Sequence, residues 1–293
     1  MKEKSTFSSK KLWANPKKSN YKVKNPVSWT KKVASTSIFK DQEIKQDLQC
    51  FYDKEAKKYA ETRKKFWHEE KCILNAITPL FEQKDKIRIL EFGCGSWRFA
   101  TLLNQNFAWK FDYVWIDLSE ELLSYASKDN PNLTFFQWDI TKLIKNFDQE
   151  SFDLIVWTSS FQHIPTHKER SFLMKNFYRL LDYDWILLMT NWSLSKWFVK
   201  KNWKVVYKAR LLSWLKFNKS KARDLLVPRN DSNWKFYNRF YHFFSLEELE
   251  KMATFSWLTL DTNTFIDENW QFTINEKLSR SSLFIAKKTP IEW

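Results

Sequence analysis

Glycine is almost missing: the chain has two in 293 residues, where an average usage of roughly 7% would give about 20. Cysteine is scarce too. Its three copies (Cys50, Cys72, Cys94) are too few and too scattered for a disulfide framework or a zinc ribbon. No apolar run approaches the roughly 18 to 20 residues that a membrane-spanning helix needs, and no apolar signal core opens the chain. These absences exclude a secreted scaffold, a membrane span and a cysteine-based metal site. They predict a cytoplasmic, reducing location, no membrane partner and no metal. Hydrophobic residues make up 43% of the chain and charged residues 28%, which suits one globular domain with appendages.

Tryptophan, by contrast, occurs 17 times. An α/β chain needs glycine wherever φ is positive or two backbones approach closely, and several tryptophans stand where such a turn or cap is expected. Trp185 follows Asp182-Tyr183-Asp184, Trp270 follows Asp267-Glu268-Asn269, and Trp257 lies between a helix and a strand. With Trp97 and Trp115 they suggest a codon that the source organism reads as glycine and that is rendered here as tryptophan. A truly tryptophan-rich protein is the alternative.

Acidic residues are nearly absent from two stretches. Residues 1–40 hold eleven lysines and one acid, Glu3; Lys196 to Arg223 holds ten basic residues and no acid. Each contributes +10 to a net charge of +15, so the remainder is about −5. Two basic segments on a slightly acidic body point to a polyanionic partner, with nucleic acid the leading candidate. In the second segment lysines alternate with Trp197, Phe198, Trp203, Tyr207, Trp214 and Phe217, rings on which unstacked bases can rest. The first segment lacks hydrophobic periodicity and reads as a disordered tail.

Residues 41–290 read as one domain. A helical pattern covers Asp41 to Ile77, and strands and helices then alternate. Strands are expected at Ile87–Phe92, Tyr113–Ile116, Leu133–Phe136, Asp153–Val156 and Trp185–Met189, and helices at Arg98–Asn104, Ser119–Ser127 and about Lys168–Leu180. Such alternation predicts a doubly wound, mostly parallel sheet. A basic, aromatic-rich insert at about 192–240 follows, then a helix over Ser245–Ala253 with Ser245 and Glu248 as a capping box. Two late strands, Leu258–Phe265 and Ser282–Ala286, suit an antiparallel hairpin at the sheet edge.

The first strand runs into Glu91-Phe92-Gly93-Cys94-Gly95-Ser96-Trp97 and then a helix. A glycine turn between strand and helix lets backbone amides approach a ligand at the helix N-terminus. Asp117, followed by Leu118, closes the second strand 24 residues after Gly93, where a carboxylate accepts hydrogen bonds from the ribose of an adenosine. Asp139, followed by Ile140, ends the third strand, placed to hold an adenine amino group.

In this order, the motif and the two acids resemble the class I S-adenosylmethionine-dependent methyltransferases over about residues 50–190, with Trp97 at the third glycine position of their E/D-x-G-x-G-x-G signature. The resemblance implies a seven-stranded, Rossmann-like sheet with a reversed last strand, S-adenosylmethionine as cofactor, and binding by Glu91, Gly93, Cys94, Gly95, Trp97, Asp117, Leu118, Asp139 and Ile140. It also makes residues 52–63 the leading helix over the cofactor, with Tyr59 and Arg63 one turn apart to meet its carboxylate. His163, after the fourth strand, stands where acceptors enter and is a candidate orienting group or base.

Val227-Pro228 followed by Arg239-Phe240-Tyr241-His242-Phe243-Phe244 resembles the signature of the tRNA wobble-uridine carboxymethyl methyltransferases. Arg229 replaces their usual tryptophan and Phe240 their first tyrosine. That resemblance implies that Arg239, Tyr241 and His242 contact a carboxylated base of tRNA or nearby phosphates, and that a small zinc-ribbon protein can act as activator. Transfer to a quinone or lipid precursor, or RNA binding without catalysis, are the competing expectations.

Overall fold

The computed structural model describes residues 41–62, 69–93, 95, 97–108, 110–129, 133–215 and 222–290. The basic segment 1–40 and the expected site residues Arg63 and Cys94 lie outside them. Helices α1 (Asp41–Thr62) and α2 (Glu70–Gln83) occupy the stretch expected as one helix. There follow β1 (Ile87–Phe92), α3 (Arg98–Phe107), β2 (Phe111–Asp117), α4 (Glu120–Asp129), β3 (Thr134–Gln137), α5 (Ile140–Leu143), β4 (Phe152–Thr158), α6 (His167–Leu180) and β5 (Leu181–Trp192). The basic insert folds as α7 (Lys196–Lys201), α8 (Trp203–Leu215) and the strands β6 (Asp224–Asn230) and β7 (Phe236–His242). The chain closes with α9 (Leu246–Thr254), β8 (Thr259–Asp267), β9 (Phe272–Thr273) and β10 (Ser279–Lys287).

The main sheet has eight strands in the order β3-β2-β1-β4-β5-β10-β8-β9. Strands β1 to β5 are parallel, and β10 runs antiparallel to both β5 and β8. The expected seven strands are therefore joined by an eighth, because the chain after β8 folds back for one short rung, Phe265 to Thr273 and Ile266 to Phe272. Near-continuous apolar runs such as Leu154-Ile155-Val156 are what a sheet covered on both faces requires. One face packs on Leu173, Met174 and Phe177 of α6 and Leu249 and Met252 of α9. The other packs on Ile73 and Ile77 of α2, Phe99 and Leu103 of α3, and Leu123 and Ala126 of α4.

Sequence patterning left the elements of the insert unseen, together with the short α5 and β9. Strands β6 and β7 form a separate antiparallel hairpin with Leu225 opposite Tyr241 and Val227 opposite Arg239. Its alternating residues Leu225, Val227, Tyr237, Arg239 and Tyr241 are buried on one face, and toward the end of β7 Phe240 and His242 are buried on the other. A third small core joins this hairpin to Phe198 of α7 and Val206 of α8. At the opposite end of the strands from the glycine turn, buried Asp153 holds Arg88 at 2.6 Å and Lys84 at 2.9 Å. Its role is to tie β4 to β1.

Candidate active site

A pocket opens where the strand order reverses between β1 and β4, the usual ligand crevice of a doubly wound sheet. On one side stand the ends of β1, β2 and β3. On the other stand the end of β5, the turn after β4 and the β6–β7 hairpin, with α1 laid across.

Gly93 has φ +62°, and a Cβ there would come within 2.3 Å of the Ser160 hydroxyl. Only glycine fits. Gly95, at φ +53°, has no atom within 4 Å of where a Cβ would sit, so its backbone faces open pocket. Asp117 secures the turn: its Oδ2 accepts from the Gly95 amide at 3.0 Å and its Oδ1 from the Ser119 amide at 2.9 Å. Burial pushes its carboxyl up from the usual range, against those backbone hydrogen bonds. Helix α1 is pinned above this wall by Asp53, which accepts from the Ser119 hydroxyl at 2.6 Å.

Asp139 also lines the pocket, with Ile140 beside it. It caps α5 through the Thr141 amide at 3.0 Å and meets Lys45 of α1 at 3.0 Å. Both oxygens are thus already engaged, so its structural duties come first. Leu118 lines the pocket as well. Glu91 and Trp97, expected to touch cofactor, are not on its wall. Glu91 is fully buried under the turn and accepts from the Tyr113 hydroxyl at 2.9 Å; burial lifts its carboxyl to about 8. Trp97 packs into the helical layer with Phe99 and Leu103. Both act on the turn from behind.

The opposite wall gathers Tyr52, Tyr59, His163, Arg239 and Tyr241. His163 is buried, and its Nδ1 lies 2.7 Å from the Phe240 carbonyl, so that nitrogen carries the proton. Its Nε2, 3.3 Å from the Tyr52 hydroxyl, is then the acceptor. Burial drops its pKa to about 4. A neutral ring with both nitrogens engaged orients Tyr52 and is a poor base.

Arg239 is 7% exposed and lies between the rings of Phe51 (4.9 Å) and Tyr241 (5.2 Å). Burial opposes its charge, but the Tyr241, Tyr52 and Tyr59 phenols outweigh that and hold its pKa above the ordinary value. Its Nε is buried with no partner among the described residues. Arg239 nonetheless lines the pocket, and a charged guanidinium there suits an anion.

His242 is a correction. It lies outside the pocket, facing the other side of β7. Its Nδ1 meets Asp224 at 2.6 Å and its Nε2 meets Glu248 at 2.8 Å. Alternation along the strand explains this: Arg239 and Tyr241 point one way, Phe240 and His242 the other. Tyr52, Lys45 and Asp53 are the contributors that sequence reasoning passed over. Spacing offered a signal, since Tyr52 and Tyr59 are seven apart and share a face of α1.

Residues 89–184 match the sequence profile of the methyltransferase domain family. Over those residues the chain is similar to a methyltransferase domain, and its mostly parallel α/β sheet with an antiparallel last strand is the methyltransferase fold. The chain is 28% identical over 135 residues to the malonyl-[acyl-carrier protein] O-methyltransferase of Bacillus cereus, covering 45% of this chain and 46% of that one. The Bacillus anthracis protein of the same name is 28% identical over 134 residues, with the same coverage. The chain thus spans about half the length of the curated relatives it matches. Among solved structures, the fold is shared with an S-adenosylmethionine-dependent methyltransferase from Clostridium acetobutylicum (TM-score 0.54, 16% identity, 82% of this chain and 99% of that one). It is also shared with the DhpI–SAM–HEP complex (TM-score 0.55, 13% identity, 86% and 100%). Among the described residues, no helix is long and apolar enough to cross a membrane.

Proposed function

We propose that this methyltransferase esterifies a carboxylate, and that the carboxylate is carried by a modified uridine of tRNA. The observation that carries the first part is Arg239, which lines the pocket and whose charge is held there by the phenols around it. Planar, two-point recognition of a carboxylate is what a guanidinium does best. The open backbone of Gly95 and the buried carboxylate of Asp117 fit S-adenosylmethionine on the other wall. Held there, S-adenosylmethionine would supply an electrophilic, sulfonium-borne methyl group for the acceptor carboxylate.

No proton has to move in such a transfer, because a carboxylate is already ionised at pH 7. The site contains what that chemistry asks for and no strong base. Arg239 fixes the acceptor, Tyr52 and Tyr241 close around it, and the glycine turn and Asp117 set the donor side. Alignment is then the main contribution to rate.

The α7–α8 face supports an RNA-borne acceptor. Lys196, Lys200, Lys201, Lys204, Lys208 and Arg210 are interleaved with exposed Trp197, Trp203, Tyr207 and Trp214. Through Phe198 and Val206 these helices pack on the hairpin that carries Arg239. A second reading, a malonyl group on an acyl-carrier protein, is favoured by the likeness to the two Bacillus proteins and would use Arg239 identically.

The test is methyl transfer from labelled S-adenosylmethionine to total tRNA and to malonyl-loaded carrier protein, followed by mild alkali. Alkali-labile label on tRNA that disappears as salt rises supports the proposal. Ester on the carrier and none on tRNA replaces the RNA part. Alkali-stable label overturns the carboxylate. Any requirement for a zinc-ribbon activator shows in the same assay as transfer that appears only when such a protein is added.

A further inference from the structure

Among the described residues, eight that are not glycine have positive φ, and four of them are tryptophan: Trp97 (+49°), Trp234 (+62°), Trp257 (+58°) and Trp270 (+64°). With 17 tryptophans in 293 residues, about half of one would fall in that set by chance. Bulky side chains are the ones that this region disfavours most.

The hydrogen bonds show what these positions are. At the end of α9, the Leu258 amide donates to the Ala253 carbonyl at 3.0 Å and the Trp257 amide to the Thr254 carbonyl at 3.2 Å. Those paired bonds define a Schellman motif, and the residue in Trp257's place is usually glycine.

Two hairpin loops repeat one another, Asp231-Ser232-Asn233-Trp234-Lys235 and Asp267-Glu268-Asn269-Trp270-Gln271. In each, the aspartate amide donates to the fifth residue's carbonyl at 3.0 Å, and the tryptophan amide donates to the aspartate carbonyl at 3.1 and 3.3 Å. Oδ1 of the aspartate accepts from the third and fifth amides, at 2.8 and 2.9 Å in both loops. A turn followed by one left-handed residue is the loop that takes glycine at its fourth position.

Trp97 is buried and Trp270 packs against the core, but two of the four rings gain little from packing. Trp234 is 84% exposed and Trp257 66%. Where the rings are buried, Trp115 on β2 and Trp157 on β4 leave their indole Nε1 without a partner, a cost that native cores avoid. Trp97 begins α3 in the left-handed region with no side-chain cap, at the third glycine position of the cofactor turn.

We infer that Trp97, Trp234, Trp257 and Trp270 mark a codon that the cell producing this protein reads as glycine. Position 97 then supplies a third glycine to the turn after β1, and its backbone loses a left-handed indole-bearing residue beside the donor site. It bears on the proposed function in one respect: any of Trp197, Trp203 and Trp214 that the same codon encodes would lose its ring, while the lysines of that face and Arg239 would remain.

Mass spectrometry of peptides from the protein isolated from its own source tests it. Glycine masses at positions 97, 234, 257 and 270 are expected; a tryptophan mass at any of the four overturns the inference. A second readout uses recombinant protein with tryptophan at all four positions, compared with the combined W97G, W234G, W257G and W270G variant. The variant should denature at a higher temperature. An equal or lower midpoint also counts against it.

Discussion

Replacing Arg239 with glutamine tests the acceptor wall. The guanidinium is 7% exposed and lies between the rings of Phe51 and Tyr241, so water cannot stand in for it easily. Truncating one partner of a buried, hydrogen-bonded charge pair costs about 2 to 5 kcal/mol. At about 1.36 kcal/mol per tenfold change, that corresponds to a loss of roughly 30-fold to several thousand-fold in kcat/KM for a carboxylate acceptor. Arg239→Lys keeps the charge and loses the planar fork, so its loss should lie between wild type and Arg239→Gln. Cofactor affinity should hold in both, because Arg239 is carried by β7 and the Asp117 that braces the glycine turn by β2. Steady-state transfer measured beside calorimetric titration of S-adenosylmethionine separates the two effects. Unchanged kcat/KM, or a fall in cofactor affinity that matches the fall in transfer, refutes the reasoning.

Further outcomes follow from the buried titratable groups. Burial holds the Glu91 carboxyl at about 8, against an ordinary value of 4.5. The fold therefore favours its protonated form, and stability from this group is full below pH 4.5 and drains away as pH rises toward 8. Glu91→Gln should match wild type near pH 4.5 and exceed it by a few kcal/mol near pH 8 in denaturant unfolding; parallel pH profiles would contradict this. His163 is held neutral, at about 4 against 6.5. Its contribution to folding is present above pH 6.5 and lost as pH falls through 4. The pH–rate profile should accordingly show no inflection near 6.5 that His163→Asn removes; such an inflection would make His163 a base after all.

Much of this fold was legible because its signals are local. Apolar runs such as Ile87–Leu90 and Asp153–Val156 marked the parallel strands, and Ser245 with Glu248 marked the start of α9. Gly93 and Asp117 were legible because their positions at strand ends carry meaning by themselves. What the sequence hid depends on side-chain direction and on contacts distant along the chain. The β6–β7 hairpin was masked by its basic, aromatic composition. His242 looked like a site residue beside Arg239 and Tyr241, yet one step along a strand turns a side chain to the other face, into the arms of Asp224 and Glu248. Tyr52 reached the site only because α1 folds across the sheet and brings it to His163, 111 positions away. The tryptophan anomaly was visible as composition, but only the backbone angles separate a ring that belongs in the core from one in a left-handed turn.

The most direct measurement is calorimetric titration of S-adenosylmethionine into the wild-type protein and into Asp117→Ala. The account predicts saturable, one-to-one heat for the wild type and its loss in the variant, since Asp117 both braces Gly95 and faces the ligand. Equal binding by the two proteins, or none by the wild type, would contradict it.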